Sequence, residues 1–218
     1  IYREIDFKFG EVLYVFERIK IYNKVGFKYA KWDIDFDDVE SLKAYTHNIE
    51  GGRVVSTKVT KESVFKEDIG DGYEVSKISF PNVKEGSVLE LKYKVRGLSL
   101  RSINTQASIP IKDIFVLLKN PYSYELKITE NPLSKVNLNV IQKPFELRYT
   151  GKNIKAMKEE KFIASKSTYL GKIYIEQVTS RGKNKLDDWK DVTKVYNDWE
   201  AFGQELKKSN YFKIYNTR

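Results

Sequence analysis

"FPNVKEGSVLELKYKV", residues 80–95, turns and then alternates. Leu89, Leu91, Tyr93 and Val95 occupy one set of alternate positions, and Glu90, Lys92 and Lys94 the other. Successive side chains of a β-strand point to opposite faces. The stretch therefore predicts a strand with an apolar face on a core and a charged face in water. It is entered through turns at Pro81 and Asn82 and again at Glu85 and Gly86.

The same period recurs along the chain. Ile5, Phe7 and Phe9 form one apolar set, while Phe27 and Tyr29 give way to Trp32, Ile34 and Phe36. That one-residue slip predicts a bulge near Ala30 and Lys31. "AYTHNIEGGRVVSTKV", residues 44–59, reads as a hairpin, because Gly51 and Gly52 can take the positive φ of a tight turn. Short strands joined by turns predict an all-β, antiparallel sandwich or barrel over residues 1–180. One helix is predicted near the end, where Trp189, Val192, Tyr196, Trp199 and Leu206 line a stripe. Asp187 and Asp188 suit its start, and Lys207 and Lys208 its end. Residues 181–218 thus read as a linker, rich in lysine around Lys183 and Lys185, followed by that helix.

The 218 residues suffice for one large domain or two small ones. The formal charge of +9 would attract anionic partners. Its lysines, however, run from Lys8 to Lys213 without clustering, so nucleic acid is a poor expectation and a polyanion or glycan a secondary one. The longest apolar run, residues 114–118, is far short of the ~20 residues of a membrane-spanning helix. With no cysteine and one histidine, thiol catalysis, disulfides and Cys- or His-rich metal sites are excluded. A chain starting at Ile1, with no basic-then-apolar leader, reads as a trimmed piece of a longer protein.

Individual candidates reduce to structure. Asp33, Asp35, Asp37 and Asp38 invite a calcium loop, but its glycine position holds Asp38 and its closing glutamate position Ala44. His47 has no nucleophile or carboxylate near it in sequence and reads as a hairpin residue. Glu85 with Glu90, and Glu159 with Glu160, are the available carboxylate pairs for sugar chemistry. Glu90 is expected to project outward beside Lys92 and Lys94 on a solvated face. Gly70, Asp71 and Gly72 form a turn, lacking the flanking strand and helix of a nucleotide loop. No catalytic residue, metal or cofactor is expected. Exposed binding candidates are Trp189, Trp199, Lys92 and Lys94.

Three motifs carry a family likeness: Ala44, Thr46 and Asn48 in the hairpin; Phe80, Pro81, Asn82, Val83, Glu85, Gly86, Ser87, Val88, Glu90 and Tyr93; and Gln106, Ile109 and Pro110. Together they resemble a domain of unknown function that precedes transglutaminase-like modules in large exported proteins, notably of Bacteroidetes. The likeness runs from about residue 5 to 180. Ser102, Ile103 and Asn104 depart from it, since members commonly carry an aromatic pair before the glutamine strand. The resemblance implies an immunoglobulin-like β-sandwich in the cell envelope, periplasm or outside the cell. It also implies a non-catalytic accessory role, with the downstream domain of the same chain, or a protein or glycan, as partner.

Overall fold

The computed structural model describes residues 1–8, 11–34, 39–68, 70, 74–96, 102–120, 126–158 and 165–177. Fourteen strands are described: β1 (Tyr2–Asp6), β2 (Val12–Lys20), β3 (Lys31–Ile34), β4 (Val39–Glu50), β5 (Arg53–Lys58), β6 (Val64–Asp68) and β7 (Glu74–Ser79). They continue as β8 (Val88–Arg96), β9 (Ser102–Asn104), β10 (Ile111–Lys119), β11 (Leu126–Glu130), β12 (Asn139–Lys143), β13 (Glu146–Ile154) and β14 (Lys172–Gln177). Among the described residues helix is confined to short turns, and the all-β expectation holds. The predicted terminal helix, with Trp189 and Trp199, lies outside the described residues.

One eight-stranded sheet runs in the order β12-β13-β10-β1-β2-β8-β4-β5, and two three-stranded sheets run β11-β14-β9 and β3-β7-β6. Every pairing among the described residues is antiparallel except β1 with β10. That exception arises because the first strand inserts between β2 and β10, beside a segment more than 100 residues away.

Each small sheet covers its own part of the large one. Ile103, Ile173 and Ile175 pack with Ile5, Leu13, Val15, Val116 and Leu118 in one buried cluster. Trp32, Ile34, Ile78 and Phe80 pack with Ala44, Leu89 and Leu91 in the other. Tyr93 touches both clusters. Face-to-face burial of alternate apolar residues makes this a sandwich.

Two local readings change. Residues Lys24–Ala30 form a 3₁₀ helix and not the first half of a bulged strand. Asn23 decides this locally, its side chain accepting from the Val25 N–H at 3.1 Å as an N-cap. Phe27 is consequently left 38% exposed, while Trp32 and Ile34 begin the true strand and are buried. The hairpin at Gly51 and Gly52 forms as read, with φ of 55° and 77°.

Close packing also fixes Gly171. A Cβ there would sit 2.7 Å from Val136 Cγ2 and 2.8 Å from Thr105 Oγ1. Thr105 is buried and donates its N–H to the Gly171 carbonyl, so the neighbours have little room to retreat. Gly171→Ala is expected to destabilise the protein by about 1–3 kcal/mol through overpacking; urea unfolding with an unchanged slope and a lower midpoint would show it.

Candidate functional site

The family-like motifs sit where the polar groups of three chain segments meet. On β4 the alternate residues Ala44, Thr46 and Asn48 all point inward and are buried. Ala44 packs in the apolar cluster, whereas Asn48 faces the turn at residues 81–87. Its Nδ2 donates to the Asn82 carbonyl at 2.9 Å, and its Oδ1 accepts from Ser87 Oγ at 2.5 Å. Ser87, fully buried, also accepts from the Lys84 N–H at 2.9 Å.

The rest of the turn is tied as tightly. Gly86, at a φ of 89°, donates to the Ile21 carbonyl, and the Ser87 carbonyl accepts from the Ile21 N–H, both at 2.8 Å. Glu85 Oε1 accepts from the Lys24 N–H at 3.1 Å, and Phe80 meets Trp32 with ring centroids 5.0 Å apart. Gln106 performs the same task elsewhere: Nε2 donates to the Lys155 carbonyl at 2.9 Å, and Oε1 accepts from the Gly171 N–H at 3.1 Å. Asn48, Glu85, Ser87 and Gln106 thus use their polar atoms on the protein's own backbone or on one another, while the buried Thr46 hydroxyl has no hydrogen-bond partner among the described residues. Ser87→Ala is expected to cost about 1–3 kcal/mol, because it leaves buried partners unmet; chemical denaturation measures this directly.

Glu90 corrects the sequence reading. It lies on the charged face of β8, yet it is only 6% exposed. Arg18 from β2 covers it, with Nε and Nη2 at 2.7 and 2.5 Å from Oε2, and Lys92 Nζ stands 3.4 Å from Oε1. Arg18 and Lys92 also lie over the Phe16 ring, at 5.1 and 4.7 Å from its centroid. Burial pushes the Glu90 carboxyl up, but the Arg18 hydrogen bond and the charges of Arg18 and Lys92 outweigh it and hold the group below its ordinary value.

His47 also has neighbours that its local sequence did not reveal. Val59 donates to the Ala44 carbonyl across the β4–β5 ladder, which makes His47 and Ser56 a non-hydrogen-bonded pair with closely set side chains. Nδ1 is 2.8 Å from Ser56 Oγ, and Nε2 is 3.6 Å from Glu90 Oε2. Ser56, His47 and Glu90 thus form a diagonal line across three strands, since Val88 is the residue opposite His47 and Glu90 is opposite Tyr45. The carboxylate, however, is bound by the guanidinium rather than the imidazole, and Ser56 stands exposed on an edge strand. None of the three lines either described cleft. The line is an ion-pair clamp with a histidine at its margin.

The other candidates do not assemble. Glu85 and Glu90 are held by different partners, and Glu159 and Glu160 lie outside the described residues. So do Asp35, Asp37, Asp38, Asp71 and Gly72, whereas Gly70 donates to Asp68 Oδ1 in a turn. Lys92 is half exposed; Lys94 is mostly covered and pairs with Glu40 at 2.7 Å. Among the described residues no group of three metal-ligating side chains converges, and no helix is long and apolar enough to cross a membrane.

The fold defines an all-β, sandwich-like domain in which the block at residues 80–90 is a clamp. The chain belongs to the domain of unknown function DUF3857, whose family pattern matches residues 10–166. In structure it is similar to a crystallised candidate protease from Parabacteroides distasonis, with a TM-score of 0.63 at 14% identity. That match covers 80% of this chain and 38% of the other, so the chain spans well under half the length of its structural neighbour. No curated protein matches it.

Glu90 gives a pH prediction. Its folded-state pKa lies below the unfolded value, so its stabilisation is present above the ordinary carboxylate range and is lost as pH falls through the depressed folded value. The stability gap between the parent protein and Glu90→Gln should be largest at neutral pH and close below about pH 4. Urea midpoints measured at several pH values check this.

Proposed function

We propose that this chain is a non-catalytic accessory domain that positions or recruits a partner for a larger exported protein carrying a transglutaminase-like or protease-like module. One observation carries the reading: Asn48, Glu85, Ser87 and Gln106 direct polar groups to the protein's own backbone or to one another, and Asn82 directs its amide to the Thr57 hydroxyl. A reaction site would instead aim such groups into a cleft. The partial coverage of the longer P. distasonis protein agrees with a role beside other domains. The cell envelope or its exterior is the proposed location, from the family likeness.

A basic-surface mode of polyanion or glycan binding fits less well. Lys92, Lys94, Arg96, Lys84 and Arg18 all stand in ion pairs, which lowers the positive potential they offer. The purified chain is expected to show no hydrolase, isopeptidase or acyl-transfer turnover. Turnover that disappears in His47→Ala would overturn the accessory reading.

A further inference from the structure

The layer that covers the eight-stranded sheet is interrupted. β3 is the edge of one three-stranded sheet and β9 the edge of the other. Both border a cleft of about 450 Å³, through Trp32 and Asp33 on one wall and Asn104 on the other. That size is typical of ligand sites. Its floor is the inner face of the large sheet, where Arg3, Glu17 and Tyr93 stand.

Backbone register shows what the two walls offer. The Phe80 N–H donates to the Ala30 carbonyl, so Ala30 and Phe80 form a hydrogen-bonded pair and the pairing alternates from there along β3. Trp32 is therefore bonded to β7, while Lys31 and Asp33 turn their N–H and C=O groups away from it. The Thr105 N–H donates to the Gly171 carbonyl, which sets the same alternation on β9. Ile103 is bonded to β14, while Ser102 and Asn104 turn their backbone groups to the open side. Among the described residues nothing fills these two rows of main-chain donors and acceptors, which border one cleft, and a strand edge is a template for another strand.

The floor breaks the core pattern in the same place. Arg3 and Glu17 occupy inward positions, among Ile5, Leu13 and Val15, where an apolar pair would be expected. They form an ion pair with side chains 18% and 22% exposed, while Asp33 is exposed and alternates with the inward Trp32 and Ile34. The two charges on the floor are thereby matched to each other, so the floor favours neither an anion nor a cation as its occupant.

We propose that one extended, uncharged peptide segment of a partner protein inserts between β3 and β9. It hydrogen-bonds to both edges and joins the two small sheets into one layer. This rests on the partner-binding reading and gives it a place. Alternate side chains of the segment would face Arg3, Glu17 and Tyr93, which suits a polar but uncharged residue there. Recognition is by main chain, with side-chain preference secondary, as in strand addition generally.

The test uses the full chain and a library of linear peptides displayed on phage, after amide exchange of the free protein. The Asp33 and Asn104 amides should exchange rapidly in the free chain and become protected by selected peptides. N-methylation at alternate positions of a bound peptide should weaken it at least tenfold. Asn104→Pro removes an N–H that the β14 ladder does not use, and edge strands tolerate proline there. It should keep its thermal midpoint close to the parent's and lose peptide binding at least tenfold, whereas Asn104→Ala should bind normally.

Slow exchange of both amides in the free chain would overturn the proposal, showing that the chain fills its own cleft. Failure to enrich any peptide, protection at another edge, or equal loss in the alanine and proline variants would overturn it too. Should the proline variant unfold, the N-methylated peptides still decide. Turnover by the chain would sink the accessory reading while leaving the peptide result intact.

Discussion

The Ser87 hydroxyl is the point on which the arrangement depends. It gives its proton to Asn48 on β4 and takes one from the Lys84 backbone, while the adjoining backbone pairs with Ile21 after β2. Three segments, distant in sequence, are thereby locked at the start of β8. A slip of one residue would move every side chain of that strand to the opposite face. Leu89, Leu91 and Val95 would leave the core and Glu90 would enter it. A buried, fully satisfied polar group is a strong way to specify register, because each alternative leaves a buried donor or acceptor unmet.

From that register follow the two faces of the large sheet. Outside, Glu90 is covered by Arg18 and Lys92, with Phe16 beneath both cations. Inside, Tyr93 lies between two apolar clusters covered by separate small sheets. The sandwich is therefore one continuous sheet beneath an interrupted one. Its interruption places polar Arg3 and Glu17 in an otherwise apolar layer, and such a local breach of pattern marks a place shaped by something other than packing.

Much of this was legible in the sequence. The alternation of residues 88–95, the Gly51–Gly52 turn and the motif at residues 80–87 each gave the right element, because short-range pattern and turn chemistry decided them. Phe27 and Tyr29 misled, since the Asn23 cap outweighed a two-residue alternation. The His47–Ser56 pairing was countable from the glycine turn, four residues before Gly51 and four after Gly52. The burial of Glu90 was not, because the residue that covers it, Arg18, lies 72 positions away. Nor was the cleft, which depends on which strands end up as edges.

The family-marking block acts by clamping the fold, and a double-mutant cycle on Asn48 and Ser87 measures that clamp. With Asn48→Ala, Ser87→Ala and the double variant compared by urea unfolding, each single change should destabilise. The pair should couple by about 1 kcal/mol or more. Full stability in both single variants, with no coupling between them, would contradict it.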